Sequence, residues 1–280
     1  MNLKLNISTC PNDTFMFEAM LHGRIDTEGL VFDLHLADIE QLNGAALSGE
    51  PDISKLSYAA VPQISDRYKI LNSGSALGRG NGPLLVSRYK IYPDELHDAR
   101  VAIPGEHTTA NLLLNKIYPS VKDRRAYLFS DIAEAVMTGE CDAGVLIHEG
   151  RFVYRKIGLQ LVADLGVEWE RLTGLPLPLG AIVVSRRLDA PLQRKIDRVL
   201  RRSIEYARAN PAVSAGFVRQ YAQELSEEVT RSHIELFVND GETVVTDLVF
   251  PSEPYNRTNI YAKGGEISVE NLDFYKVTLK

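Results

Sequence analysis

The chain has 280 residues, of which 45% are hydrophobic, enough for two ordinary cores and too many for a disordered protein. Its formal net charge of −6 argues against nucleic acid or an anionic membrane surface as the main partner. Two cysteines, Cys10 and Cys141, have neither the number nor the spacing for a disulfide framework or a metal finger, so no structural metal is expected.

Met1-Asn2-Leu3-Lys4-Leu5 runs straight into a strand pattern with no long apolar stretch, and no segment approaches membrane-spanning length. A cytoplasmic protein is expected. Strand patterns lie at about 3–8, 31–36, 52–56 and 68–72, with helical stretches starting from Asp13, Asp38 and Ser57. Asp38 is placed to cap its helix, and Gly49-Glu50-Pro51 ends it. A second alternating series follows, with strands at about 100–104, 126–129, 143–147 and 159–165. In that series Ser130 is expected to cap a helix, Gly139 to close it and Gly158 to close another. Such alternation predicts an α/β fold with parallel sheets and helices on both faces.

Gly82-Pro83-Leu84-Leu85-Val86-Ser87-Arg88 and Gly180-Ala181-Ile182-Val183-Val184-Ser185-Arg186 look alike and bracket the second series. An insertion between two similar strands is how a two-lobed chain with a double crossover would be written. The expected lobes are 1–87 with 186–280, and an inserted 88–185, with the two strands as hinge and a ligand cleft between the lobes. Beyond Arg187 the chain turns helical: Asp189 caps, Pro191 sits in the first turn, and Leu192, Ile196, Val199 and Ala207 form an apolar stripe. Arg194, Lys195, Arg198, Arg201 and Arg202 read as a solvated face. Asn210-Pro211 opens a second helix and Ser226 a third, all packing back on the first lobe.

Four polar clusters sit where strands end, and open α/β sheets bind ligands at the carboxyl ends of their strands. Ser8-Thr9-Cys10-Pro11-Asn12-Asp13-Thr14 precedes a helix. Its amides suit an anion, with Asn12 and Asp13 adding amide and carboxylate, and the same residues suit simple capping equally well. Cys10 has no identifiable basic partner and reads as a small buried residue rather than a nucleophile. In Ser54-Lys55-Leu56-Ser57-Tyr58, Lys55 would neutralise a carboxylate and Ser57 would donate a hydrogen bond; the competing reading is a helix cap beside a surface lysine.

In Pro104-Gly105-Glu106-His107-Thr108-Thr109-Ala110-Asn111, Thr108 or Thr109 and the amides of Thr109 and Ala110 form a cradle for carboxylate or phosphate. His107 is expected to stay outside the chemistry. The fourth cluster is the most informative: a buried strand pattern, Ala143-Gly144-Val145-Leu146-Ile147, ends at His148-Glu149. His148 is placed for proton transfer near neutral pH, against the plainer reading of a histidine satisfied by backbone. Glu149 either orients the imidazole or starts the next helix. The glycine turns 78–83 and 174–180 match neither a P-loop nor a dinucleotide fingerprint, so no nucleotide cofactor is indicated.

Taken together, Ser8-Thr9-Cys10-Pro11-Asn12-Asp13-Thr14-Phe15, Ser54-Lys55-Leu56-Ser57, the 78–84 turn, His107-Thr108-Thr109-Ala110, Ile147-His148-Glu149-Gly150-Arg151-Phe152 and the 174–180 turn resemble the 1,4-dihydroxy-6-naphthoate synthase family of the futalosine route to menaquinone. The resemblance spans about residues 8 to 180 in order. It implies a two-lobed, periplasmic-binding-protein-like (type II) fold used as an enzyme. It implies a carbon–carbon lyase that converts cyclic dehypoxanthinyl futalosine to 1,4-dihydroxy-6-naphthoate, without cofactor.

The family's general base falls on His148, and its substrate-contacting segments fall on Lys55, Leu56 and Ser57 and on Thr109 and Ala110; Thr108, Asn12 and Asp13 are added from the residues themselves. The expected partner is a small molecule, not nucleic acid or membrane, and the oligomeric state is left open. Two rivals are a cytoplasmic protein that only captures a small carboxylate, and the sibling menaquinone enzyme that dehydrates chorismate.

Overall fold

Strand β1 (Asn2–Ile7) places Leu3, Leu5 and Ile7 in the interior, and the turn after it delivers Pro11 as the first residue of α1 (Pro11–Leu21). The computed structural model describes residues 2–78, 82–148 and 150–221 with Thr230 and Ile234, all within the unit Met1–Asp247. The helix starts two residues before the expected Asp13, because proline's fixed φ and missing N–H suit a first helical position. Next come β2 (Val31–Leu36), α2 (Ile39–Leu47), β3 (Ile53–Ser57), α3 (Val61–Ile64), β4 (Tyr68–Ile70) and a strand the sequence did not announce, β5 (Ala76–Gly78). Asp38 caps α2 as expected, accepting from the N–H groups of Glu40 and Gln41 while the Gln41 side chain returns to Asp38 N.

The second series contains β6 (Leu84–Ser87), β7 (Val101–Ile103), α4 (Thr109–Ile117), β8 (Arg124–Ala126), α5 (Ile132–Thr138), β9 (Ala143–Leu146), α6 (Gly150–Val153), β10 (Gln160–Asp164) and α7 (Leu165–Thr173). Strand β8 lies earlier than the expected 126–129. It is an edge strand that pairs only with β7 among the described residues, and its charged Arg124-Arg125 is what edges carry. Ser130 does not cap α5; its hydroxyl turns to Asp131, the N-terminal neighbour of the helix. Gly139 does close that helix, in the left-handed conformation at φ 83°.

The chain then forms β11 (Leu177–Ser185), α8 (Ala190–Ala209) and α9 (Pro211–Tyr221). Asp189 caps α8 by accepting from Leu192 N–H. Ile196, Val199 and Leu200 pack with Leu3, Leu5 and Phe17, so α8 and α9 do return to the first sheet. Buried Ser203 fastens this contact, donating to Met16 O and accepting from Met20 N–H. On the outer face of α8, Arg198 and Arg202 pair with Glu28, and Arg201 pairs with Glu205. The third helix expected at Ser226 lies outside the described residues.

Two mixed sheets result, in the orders β2-β1-β3-β11-β4, with β5 also on β11, and β10-β6-β9-β7-β8. Parallel pairing holds for β1 with β2 and β3, and for β7 with β8 and β9. The expectation of wholly parallel sheets is corrected at β11 and β6, which run antiparallel to every partner. Each enters its sheet from the other sheet rather than through a helix on its own, so the geometry of a β-α-β crossover does not bind it.

The two look-alike strands part company. Leu84–Ser87 belongs to the second sheet, and Leu177–Ser185 to the first. The chain therefore passes between sheets over 78–84 and again over 164–177, N-terminal to both strands. These passages touch backbone to backbone: a Cβ on Gly82 would lie 2.3 Å from Gly166 Cα.

Candidate active site

Most of the cleft-lining residues follow the carboxyl ends of parallel strands, as the topology demands. Ser8, Cys10, Asn12 and Asp13 follow β1, and Lys55 and Ser57 end β3. Thr108, Thr109 and Ala110 follow β7, and Ile147 and His148 follow β9. The space they enclose is about 740 Å³ with its mouth included, and Gly82, Pro83 and Arg151 complete the wall near the passages between sheets. A more open recess, about 1560 Å³, shares Ser8, Cys10, Ile39, Ile147 and His148 with it.

On the β1–β3 side the charges are buried. Asp13 is buried, and neither it nor Asn12 caps α1, whose N-terminal neighbour is half-buried Cys10. Instead the Asp13 carboxylate turns back: Oδ2 accepts from Ser8 N (3.1 Å) and Ser8 Oγ (2.6 Å), and Oδ1 lies 2.9 Å from Lys55 Nζ. The lysine ammonium approaches Oδ1 off the line of a formed hydrogen bond, so charge rather than a directed N–H joins them. Lys55 is 8% exposed and is no surface lysine.

Strand alternation explains its neighbours. Lys55 and Ser57 share one face of β3, whereas Leu56 points the other way, fully buried beside Tyr58, Val61 and Ile64. Of the three consecutive residues expected to meet substrate, Leu56 does not line the cleft with its side chain. Ser57 makes no capping bond; Asn43, buried on α2, donates Nδ2–H to its Oγ (3.2 Å) and accepts its N–H at Oδ1 (2.9 Å). The Ser57 hydroxyl proton remains to face a ligand.

The paired threonines divide their tasks. Thr108 caps α4, accepting from Asn111 N–H and donating to Gly105 O, and is 2% exposed. Thr109 donates to Leu179 O (2.9 Å) and so ties α4 to β11. Both hydroxyls are used within the protein, which leaves the first-turn amides of Thr109 and Ala110 as the donors α4 offers to an anion. His107, expected to stay outside the chemistry, has a structural role: its N–H donates to both carboxylate oxygens of Glu40, and its Nδ1 lies 2.7 Å from Glu40 Oε1. Glu40 sits on α2 beside the first sheet, so this contact bridges the two sheets. A Cβ on Gly105 would fall 2.4 Å from the Glu40 carboxyl carbon, which is why the bridge needs glycine there.

His148 is half-buried and has φ 51°, a conformation costing a non-glycine residue about 1–2 kcal/mol. Strain of this kind at the end of a buried strand, facing a cleft, marks a position kept for its side chain. Phe129 meets the imidazole edge-on, with centroids 5.2 Å apart and planes at 68°. Three residues on, Arg151 donates to Gly82 O (2.6 Å) and to Asp164 Oδ2 (2.8 Å), while Asp164 caps α7 through Oδ1. The histidine loop is thus tied to both passages between the sheets. Asn43, Glu40, Phe129 and Asp164 escaped the sequence reading, because each comes from an element remote from the residue it serves. Among the described residues no group of three or more His, Cys, Asp or Glu side chains could hold a metal, and no helix is long and apolar enough to cross a membrane.

A family model described as menaquinone biosynthesis matches residues 3–248. The chain belongs to that family. A Thermus thermophilus protein named "1,4-dihydroxy-6-naphtoate synthase" is 45% identical over 259 residues, covering 90% of this chain and 94% of that one. A Streptomyces coelicolor protein of the same name is 41% identical over 243 residues, 85% of each. Among solved structures, protein AF1704 from Archaeoglobus fulgidus superimposes with a TM-score of 0.81 at 36% identity, covering 85% of this chain and 89% of that one. The alkanesulfonate-binding protein SsuA from Xanthomonas axonopodis matches at 0.64 with 14% identity, 83% of each chain, which speaks to the fold alone. The family member described here therefore has the two-sheet, double-crossover architecture of periplasmic binding proteins, with its cleft between the sheets.

Proposed function

We propose that this member of the menaquinone-biosynthesis family is a carbon–carbon lyase that converts cyclic dehypoxanthinyl futalosine to 1,4-dihydroxy-6-naphthoate, with His148 as general base. The observation that carries the reading is the convergence on one cleft of a strained, half-buried histidine and the N-terminal amides of α4. The substrate carboxylate is held by the amides of Thr109 and Ala110, where the helix end favours negative charge. Lys55 and the Ser57 hydroxyl contact the polar edge of the ring system. The His148 imidazole takes a proton from carbon, and the electron pair released forms a ring double bond as the carbon–carbon bond to the sugar-derived three-carbon fragment breaks. The imidazolium returns the proton to the departing fragment as the ring becomes aromatic. Closing the sheets over the substrate excludes water from the intermediate.

The names of the Thermus and Streptomyces relatives support this chemistry over mere capture of a carboxylate. Sheet membership supports a smaller lobe inserted in the larger one, but with bounds shifted from the expected 88–185: β6 (84–87) joins the inserted lobe and β11 (177–185) the larger one. The negative charge accords with a cytoplasmic enzyme that binds a small molecule and neither nucleic acid nor membrane.

The test is mass-spectrometric product detection with purified protein, offered cyclic dehypoxanthinyl futalosine and, separately, chorismate. Naphthoate from the first and nothing from the second is expected. Dehydration of chorismate would transfer the assignment to the sibling enzyme. Turnover of neither, between pH 6 and 9, would leave a binding protein.

A further inference from the structure

We propose that Asp13 is a positioning residue: it acts on the reaction through Lys55, holding the ammonium on the cleft wall by charge while leaving its N–H groups to the substrate. The inference rests on the lyase reading above and goes beyond it, because Asp13 is not a substrate contact. Its carboxylate side chain is 1% exposed, and every polar contact it makes is spent on the protein.

Three observations support the role. First, Asp13 is itself fixed: Ser8 gives Oδ2 both its backbone N–H and its hydroxyl, so the carboxylate cannot rotate to follow a ligand. Second, Oδ1 meets Lys55 Nζ at 2.9 Å without an aligned hydrogen bond, although both groups are buried and an aligned one would be stronger. An ammonium carries three donors, so its contact with one carboxylate oxygen leaves donors for a ligand. Third, the space for the lysine stem depends on an absence of side chain. A Cβ on Gly180 would fall 2.9 Å from Lys55 Cε, so β11 leaves a channel in which the lysine stem lies. The Asp13 charge and the glycine channel together restrict a long side chain that would otherwise be free.

A buried carboxylate that served stability alone would be better paired by aligned hydrogen bonds or replaced by an apolar group. This one is paired where it holds a cation beside the cleft.

The experiment is a double-mutant cycle on kcat/KM with Asp13→Asn, Lys55→Met and both, alongside a crystal structure of Asp13→Asn. Asp13→Asn keeps the size and an acceptor and loses the charge. It is expected to lower kcat/KM about 10- to 100-fold, the range for one hydrogen-bonded charge. In the Lys55→Met background the same change is expected to add less than about 2-fold, since residues acting as a unit are not additive. The crystal structure is expected to show Lys55 Nζ moved away from position 13.

Losses that multiply would overturn the proposal, since a purely structural Asp13 would cost as much with or without Lys55. An unmoved Lys55, or kcat/KM unchanged in Asp13→Asn, would overturn it too. If Asp13→Asn does not fold, Ser8→Ala replaces it in the cycle, with a smaller loss of about 3- to 10-fold expected and the same non-additivity required. Should the wild type make no naphthoate, the lyase reading fails by itself, and the position of Lys55 in the crystal structure still decides the positioning role.

Discussion

On one wall of the cleft, Asp13 and Lys55 stand on β1–α1 and β3, in the sheet that also carries α8 and α9, with side chains 1% and 10% exposed. On the other wall, His148 leaves a four-residue strand, turns through φ 51° and enters a four-residue helix whose Arg151 grips the passages between the sheets. Around Asp13 and Lys55 the first wall is buried, with the carboxylate held by the N–H and hydroxyl of Ser8. The second is tied through Arg151 to Gly82 O and Asp164, one on each passage between the sheets. Under the proposed reaction the contrast teaches a division of tasks: the buried wall would select the ring system, and the tied loop would position His148 against it.

The comparison is sharpened most by removing the histidine proposed as base. His148→Ala is expected to lower kcat by about 10²- to 10⁴-fold with product affinity nearly unchanged, read by steady-state kinetics and calorimetry. A large loss of affinity instead would make His148 part of the binding wall. Next in size is Arg151→Met. Cutting the ties to Gly82 O and Asp164 is expected to reduce kcat about 10-fold more than it raises KM, since it loosens the base and not the binding wall. Equal effects on both parameters would erase the distinction between the walls.

The smallest effect concerns the far end of the second sheet, where Arg100 grips Asp142 through Nε–Oδ2 at 2.9 Å and Nη2–Oδ1 at 2.8 Å, just before β7 and β9 begin. Hydrogen bonding to the Arg100 guanidinium holds the Asp142 carboxyl below the usual carboxylate range. A depressed folded value means that the pair stabilises the protein above the unfolded value, about pH 3.9, and loses its effect as pH falls through the folded one. Both side chains are more than a third exposed, so solvent screening keeps the contribution small. Denaturation of Arg100→Ala against wild type is expected to show a small stability gap from about pH 5 upward, shrinking below about pH 4, with kcat unaltered throughout. A change in kcat would mean that the base of the strands, and not the loop alone, sets His148.

How much of this was legible in the sequence differs from residue to residue. His148, Lys55, Thr109 and Ala110 were readable because strand ends at polar clusters are where α/β sheets bind, and those residues do line the cleft. The side chain of Leu56 faces away from the cleft: a contact segment says nothing of faces, and the two-residue period of β3 separates it from Lys55 and Ser57. Asp13 was visible as a polar residue, but its burial depends on Ser8 and on a lysine 42 positions away. The antiparallel β6 and β11 were hidden for a different reason: strand–helix alternation reports the order of elements and not the direction in which a strand enters a sheet. Asn43 on Ser57, Glu40 on His107 and Phe129 on His148 are long-range contacts with no local signature.

The most direct test of two unequal walls converging on one substrate is a crystal structure with 1,4-dihydroxy-6-naphthoate bound. The account requires the carboxylate on the amides of Thr109 and Ala110, the ring against Lys55 and Ser57, and the His148 imidazole within about 3.2 Å of the reacting edge, or one water away. A naphthoate seated in the cleft with His148 turned from it, or with its carboxylate far from α4, would contradict it.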